Sequence, residues 1–258
     1  MAHVPLPRCH GFLAGKDEER HGELQQALDD PTIRMVLAAR GGYGAMRLLE
    51  HLNYSGLSST RKLIVGSSDI TALLCDVVLR VGLMSVHGPM VEQIPQADAE
   101  TLERLLAAME GRFPPITNLE VLHPGEAEGP ILGGNLTVLC HLVGTPFLPR
   151  MSGAILFLED VTESPYRIDR ALRHLLLARV LDGVAAVLLG EFRECGDQAE
   201  VREVLTENFS CLGIPVLYGL PVGHGPRNFA LPFGGIGQVI ASASGKGVLR
   251  FEPLDQGS

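Results

Sequence analysis

The amino-acid sequence predicts an α/β fold built on a mostly parallel sheet, and two patterns support that prediction. Six short runs rich in Val, Ile and Leu lack the polar–apolar alternation of a sheet with one solvated face. Longer segments between them repeat apolar residues every three to four positions, as helices do. Strands that alternate with helices in this way are typical of an open parallel sheet. Hydrophobic residues make up 46% of the 258 residues and charged residues 20%, so the chain can bury a core.

Each apolar run is expected to be a strand that is covered on both faces. The runs lie at 33–39, 63–65, 83–86, 155–158, 185–189 and 216–217. Helices are expected at 18–28, 99–110 and 165–181, and a fourth is expected to begin near Asp69. Gly111 suits the left-handed position that follows a helix end.

The chain is expected to divide into two domains. The segment 113–130 contains four prolines and little periodicity, which predicts a linker. Residues 1–112 then form a doubly wound, parallel-sheet domain, and residues 131–258 form a second α/β domain. Gly-rich turns and short β-prone pieces at 234–251 predict antiparallel strands within that second domain.

Composition excludes several classes of function. The formal net charge of −9, from 21 basic and 30 acidic residues, argues against nucleic acid or an anionic membrane as the main partner. The five Cys form no CxxC pair, so we expect free thiols in a reducing compartment and no zinc site. The apolar runs are too short to span a membrane, and the first residues do not resemble a signal peptide. We therefore expect a soluble cytoplasmic protein without a metal or other cofactor.

The segment KLIVGSSDIT at 62–71 predicts a serine on a strand-to-helix turn. Such a turn holds Ser68 rigidly above a sheet edge and directs helix N–H groups towards the atom it attacks. The segment departs from the G-x-S-x-G pattern, because Asp69 and Ile70 follow the serine. The simpler interpretation is that Ser68 or Asp69 only caps the helix.

A Gly-rich loop, RGGYG at 40–44, follows the first apolar run. Its glycines allow the backbone to approach a ligand closely. It is not a dinucleotide-binding loop, since Arg47 stands where a third Gly is required. It is either a tight strand-to-helix turn or the source of a backbone N–H donor opposite Ser68.

Two further segments supply an acid and a base. Glu159 and Asp160 end an apolar strand, and Glu163 follows nearby; these acids either bind a ligand or balance the dipole of a helix start. His224 lies between two glycines on a loop after the strand at 216, and His87 is its only rival. Ser68, an acid near 159 and His224 together supply the nucleophile, orienting acid and general base of a serine hydrolase.

The segments RGGYGAMRLL, GSSDIT, HGPM, GGNL, LFLEDVTESPYRIDR and GHGPRNFALPFG resemble the LD-carboxypeptidase family of serine peptidases. That family includes cytoplasmic muramoyltetrapeptide carboxypeptidases and microcin C immunity peptidases. The resemblance implies that Ser68 is the nucleophile, Glu159 the acid and His224 the base. It also implies an oxyanion hole from the N–H groups of Asp69 and Gly42. Family members usually begin with a strand and a helix ahead of the segment that matches 10–28, so this unit is expected to be absent here.

The resemblance implies hydrolysis of an L,D-peptide bond in murein tetrapeptide, with release of a C-terminal D-amino acid during peptidoglycan recycling. Arg40 and Arg227 are candidates for binding the terminal carboxylate of this small peptide, because Arg pairs with carboxylates in a bidentate manner. A homodimer is expected from the family only. The alternatives are a peptidase that cleaves peptidyl-nucleotide antibiotics and an inactive truncated homologue that acts as a binding protein.

Overall fold

The computed structural model describes residues 9–57 and 62–252. Two sheets and six α-helices organise this part of the chain. The strands, in chain order, are β1 Met35–Leu37, β2 Leu63–Gly66, β3 Ser85–His87, β4 Ile116–His123, β5 Gly125–Asn135, β6 Ile155–Val161, β7 Ala186–Arg193, β8 Val216–Tyr218, β9 Leu231–Phe233, β10 Ile236–Ala241 and β11 Lys246–Phe251. The helices are α1 Asp17–Asp29, α2 Thr71–Val81, α3 Ala99–Met109, α4 Leu136–Leu142, α5 Pro165–Leu177 and α6 Gln198–Ser210.

The first sheet has the strand order β1-β2-β3-β9. Strands β1, β2 and β3 are mutually parallel, as the sequence predicts. The fourth strand, β9, comes from the C-terminal part of the chain and pairs antiparallel with β3. Segments from the N-terminal and C-terminal halves of the chain therefore contribute to the same sheet.

The second sheet closes on itself in the order β10-β11-β4-β8-β7-β6-β5. Strands β5 to β8 pair in parallel, and the remaining pairs are antiparallel. The antiparallel pair β10–β11 confirms the prediction for 234–251. The carboxyl ends of β5 and β6 lie side by side, because Asn135 is in register with Glu159.

The prediction of a linker at 113–130 is wrong. This segment contains all of β4 and the first part of β5, and both strands belong to the closed sheet. Pro114, Pro115 and Pro124 flank β4, and Pro130 lies in β5 without preventing the pairing of β5 with β10. The boundaries 1–112 and 131–258 remain a prediction.

Local sequence explains where several helices end. Gly111 has φ +74°, which confirms its predicted place after α3. Helix α5 ends at Leu177, four residues before the predicted end, because Arg179 adopts φ +60° and the chain turns there. The Lys62 side chain donates three hydrogen bonds to backbone carbonyls at the end of α1, at 2.6–2.9 Å.

One cluster of buried apolar side chains extends through both sheets. Phe157 of β6 is fully buried, and its ring lies 4.8 Å from His87 of β3 and 6.1 Å from Phe233 of β9. Aromatic rings at these separations and tilted angles pack favourably. The closed sheet is thus packed directly against the strands that support the serine turn.

Candidate active site

Ser68 lies on the turn between β2 and α2, as the sequence predicts. Strand β2 ends at Gly66, and a short 3-10 turn over Ser68–Ile70 leads into the helix. Ser68 has φ +57°, a backbone conformation that is uncommon for a residue with a side chain. Neither Ser67 nor Ile70, the residues at the cap positions, caps through its side chain. A partly exposed serine in a strained strand-to-helix turn has the geometry of a nucleophile elbow.

The neighbouring hydroxyl, Ser67, is in a different environment. Ser67 is 1% exposed, and its Oγ donates a hydrogen bond to Gln93 Oε1 at 3.4 Å. It also accepts a hydrogen bond from Asn228 Nδ2 at 3.3 Å. Ser67 is therefore an internal, hydrogen-bonded side chain, whereas Ser68 is partly exposed.

The Gly-rich loop lies against the serine turn. A Cβ built on Gly41 would be 2.8 Å from Ser68 Cβ and 3.0 Å from its Oγ. Gly42 follows with φ +101°, a conformation that favours glycine. The buried Asp69 carboxylate accepts a hydrogen bond from Ala45 N at 2.8 Å and so joins the loop to the turn. Burial raises the pKa of Asp69, and this hydrogen bond opposes that shift. The sequence indicates this loop but not that Gly41 lies against Ser68.

Glu159 and His224 lie within hydrogen-bond distance. Glu159 Oε2 is 2.7 Å from His224 Nδ1, the Glu159 side chain is fully buried, and that of His224 is 17% exposed. Burial raises the pKa of Glu159, and its bond to His224 offsets part of that shift. Burial disfavours charged His224, but the hydrogen bond and charge of Glu159, together with the charges of Asp160 and Glu191, outweigh burial and raise the His224 pKa. This pair leaves the other ring nitrogen of His224 to act on a second group.

The other two acids near this strand have different partners. Asp160 accepts hydrogen bonds from Asn135 Nδ2 at 2.9 Å and from Thr137 N at 3.0 Å, at the first turn of α4. Glu163 pairs with Arg167 of α5 at 2.9 Å. The interpretation as acids at a helix start therefore fits Asp160 but not Glu159.

Thr71 and Asn135 connect the serine turn to the acidic strand. Asn135 N donates to Thr71 Oγ1 at 3.2 Å, and a Cβ on Gly134 would lie 2.5 Å from that oxygen. Since Asn135 is also in register with Glu159, the start of α2 and the end of β6 meet at the same place. Local sequence patterns did not single out either residue, because the contact joins positions 64 residues apart.

His87, the rival to His224, is fully buried beside Phe157. Burial and the nearby His224 lower the pKa of His87 to about 3, so it stays neutral. The two arginines singled out from the sequence are exposed. The Arg40 side chain is 70% exposed, 3.8 Å from Glu92, and Arg227 is 63% exposed, 3.0 Å from Asp98.

Within residues 9–57 and 62–252, no group of three or more His, Cys, Asp or Glu could hold a metal ion. No helix there is both long and apolar enough to cross a bilayer. All five cysteines are free thiols, as predicted, and Cys9 and Cys211 are the exposed ones.

Comparison with known proteins relates this fold and site to a family. Residues 2–88 match the LD-carboxypeptidase N-terminal domain, and residues 128–239 match the LD-carboxypeptidase C-terminal domain. A putative carboxypeptidase of Synechocystis is 40% identical over 230 residues, which cover 87% of this chain and 75% of that relative. The murein tetrapeptide carboxypeptidase of Pseudomonas aeruginosa is 34% identical, with 86% and 78% covered.

Two further relatives show the breadth of the family. The Escherichia coli microcin C7 self-immunity protein is 30% identical, with 86% of this chain and 76% of that protein covered. The crystal structure of muramoyltetrapeptide carboxypeptidase from Oxalobacter formigenes superposes with a TM-score of 0.83 at 36% identity, covering 93% of this chain and 86% of that chain.

These matches define a peptidase with a mixed α/β fold, in which the first sheet is parallel except for β9. The chain belongs to the LD-carboxypeptidase family.

Proposed function

We propose that this protein is a serine-type LD-carboxypeptidase that removes a C-terminal D-amino acid from murein tetrapeptide during peptidoglycan recycling in the cytoplasm. The observation that carries the proposal is the 2.7 Å contact between Glu159 and His224, next to the turn that holds Ser68 at φ +57°. The names of the Pseudomonas and Oxalobacter relatives supply the substrate class.

In this mechanism His224 takes the proton of Ser68 while the serine oxygen attacks the carbonyl carbon of the L,D-peptide bond. Glu159 keeps the imidazole in the tautomer with its proton on Nδ1 and stabilises the cation that forms. His224 then gives its proton to the leaving amine, and the D-amino acid departs. Water hydrolyses the acyl-enzyme in a second step with the same base.

The oxyanion of each tetrahedral intermediate requires N–H donors. Asp69 N lies in the first turn of the helical segment, where backbone N–H groups have no intrahelical acceptor. Gly42 N belongs to the loop that lies against Ser68 and would be the second donor. Loss of one such donor typically lowers kcat by about 10²–10³-fold.

The test uses the purified chain, murein tetrapeptide and chromatographic detection of the tripeptide product. We expect release of one D-amino acid per tripeptide, and we expect Ser68→Ala to lower kcat by about 10³–10⁶-fold. Ser152→Ala, at an exposed serine, is the matched control and should retain the wild-type rate. Full activity of Ser68→Ala would reject Ser68 as the nucleophile.

A second candidate is a peptidase that cleaves peptidyl-nucleotides, and one observation favours it. Phe12 and Tyr43 are exposed, their rings lie 5.5 Å apart, and both line a cavity of about 470 Å³ that also includes Gly41 and Gly42. Aromatic side chains of this kind can stack on a base. Comparison of kcat/KM for murein tetrapeptide and for an aminoacyl sulfamoyl nucleoside distinguishes the two substrates. A chain that turns over neither and does not react with a fluorophosphonate is instead an inactive binding protein.

A further inference from the structure

The side-chain amide of Asn228 lies between the loop that carries His224 and the turn that carries Ser68. Asn228 is 1% exposed and follows His224 by four residues in the loop between β8 and β9. A buried amide that lacks hydrogen bonds costs roughly 1–3 kcal/mol, so its partners determine where it can lie. Its partners come from both sides of the site.

The amide oxygen of Asn228 faces the histidine loop. Gly223, which immediately precedes His224, directs its N–H at this oxygen at 3.4 Å. The amide nitrogen faces the serine turn and donates to Ser67 Oγ at 3.3 Å. It also lies 3.4 Å from Gln93 Oε1, which in turn accepts a hydrogen bond from Met90 N at 3.0 Å. One side chain thus joins the neighbour of His224 to the neighbour of Ser68.

The outer part of the same loop is held separately. Asp98 N donates to Pro226 O at 3.1 Å, and Arg227 pairs with Asp98 at 3.0 Å. These contacts fix the loop to the start of α3 but do not reach the serine turn. Glu159 fixes the imidazole on its Nδ1 side. Among the side-chain hydrogen bonds of the described residues, those of Asn228 to Gly223 and Ser67 span the distance between the two segments.

We infer that Asn228 is a positioning residue that sets the distance and orientation of His224 relative to Ser68 by bridging Gly223 and Ser67. The inference rests on the proposed function, because it assumes that Ser68 and His224 react together. It adds a residue without contact to the reacting atoms, which acts through the backbone on either side of them.

The experiment measures the rate at which a fluorophosphonate probe modifies Ser68, together with kcat and KM for murein tetrapeptide. Asn228→Ala removes the hydrogen bonds to Gly223, Ser67 and Gln93, so we expect the labelling rate and kcat to fall by about 10–100-fold while KM changes less than about 3-fold. Asn208→Ala is the matched control. Asn208 is equally buried but bonds to Asp169 and Val204 in the outer helices, so its loss should lower the melting temperature without changing the labelling rate.

Asn228→Asp provides a second readout if the alanine variant folds poorly. Aspartate keeps an oxygen that accepts from Gly223 N but offers Ser67 Oγ no amide donor, so it breaks only the part of the bridge on the serine side. At a pH above the acid limb, the labelling rate of folded Asn228→Asp should therefore fall by about 10-fold, whereas a purely structural role would lower the melting temperature and leave that rate unchanged. The charged and titratable groups that face His224, and so set the pH of that limb, are Glu159 and Asp160 of β6, Glu191 and Arg193 of β7, and His87 of β3.

The outcomes separate this inference from the proposed function. No labelling of the wild type would reject the serine peptidase itself. Labelling of the wild type, with folded Asn228→Ala labelled at the same rate, would reject the positioning role alone. A labelling rate of folded Asn228→Asp equal to that of the wild type would also reject it.

Discussion

The Glu159–His224 pair makes a specific prediction about pH at the residue scale. Because the carboxylate raises the pKa of His224 above the ordinary value of 6.5, His224 is protonated and cannot act as a base below that raised pKa. Activity should fall as the pH falls through it. In Glu159→Gln, burial remains but the negative charge is lost, so the acid limb of kcat/KM should move to lower pH.

Glu159→Gln should also lower kcat by about 10²–10⁴-fold. The amide of Gln fixes the tautomer of the His224 imidazole less well than the carboxylate does, and it does not stabilise the imidazolium cation. A kcat/KM profile from pH 4 to 9 measures both effects. Glu163→Gln, at the carboxylate that pairs with Arg167, is the control and should leave the limb in place. An unchanged limb in Glu159→Gln would contradict the assignment of this acid.

Gly41 makes a second prediction at this scale. A methyl group at Gly41 would lie 2.8 Å from Ser68 Cβ, which is closer than side chains normally approach. Either the Gly-rich loop or the serine turn must therefore shift. We expect Gly41→Ala to lower kcat by at least about 10²-fold. The Gly22→Ala control has no atom within 4 Å of the new Cβ and lies inside α1. It should raise the free energy of unfolding by about 0.5–1 kcal/mol with activity unchanged.

At the scale of elements, Lys62 joins β2 to the end of α1. The residue is 4% exposed, and its Nζ donates to the carbonyls of Ala27, Leu28 and Asp30. Lys62→Met leaves these buried acceptors without a donor, so the free energy of unfolding should fall by about 2–3 kcal/mol. Urea denaturation measures the change. Lys246→Met, at an exposed lysine, should stay within about 0.5 kcal/mol of the wild type.

At the scale of the whole molecule, β9 makes the two halves of the chain depend on each other. Phe233 is fully buried in the first sheet and packs against Phe157 of the closed sheet. We expect Phe233→Ala to cost about 3–5 kcal/mol. The loss should lower the hydrogen-exchange protection of β2 and β7 alike, since one apolar cluster extends through both sheets. Loss of protection in β2 alone would contradict this dependence. Phe12→Ala, at a residue that is 81% exposed, is the control.

Much of the fold follows from local patterns in the sequence. The runs that became β2, β3, β6, β7 and β8 are continuous and apolar because most residues of those strands are buried, whereas the three residues of β1 are only partly buried. Strands β4 and β5 were not predicted from the sequence, because parts of them are not covered by other elements. Part of β4 and the start of β5 are exposed and polar, so they lack an apolar run, and their identity as strands depends on partners distant in the chain.

The candidate site also has residues that local sequence patterns indicate and contacts that only the folded chain forms. Local sequence patterns indicated Ser68, an acid near 159 and His224, because each follows a strand or ends one, where sheets present functional side chains, and the family resemblance implied that the acid is Glu159. The folded structure alone shows that Glu159 contacts His224, that Gly41 lies against Ser68, and that Asn228 connects the two segments. The residue itself supplies the chemistry of a side chain, and its neighbours in the chain set the local backbone geometry. Its contacts across more than 60 residues exist only after the sheets close and bring their ends together.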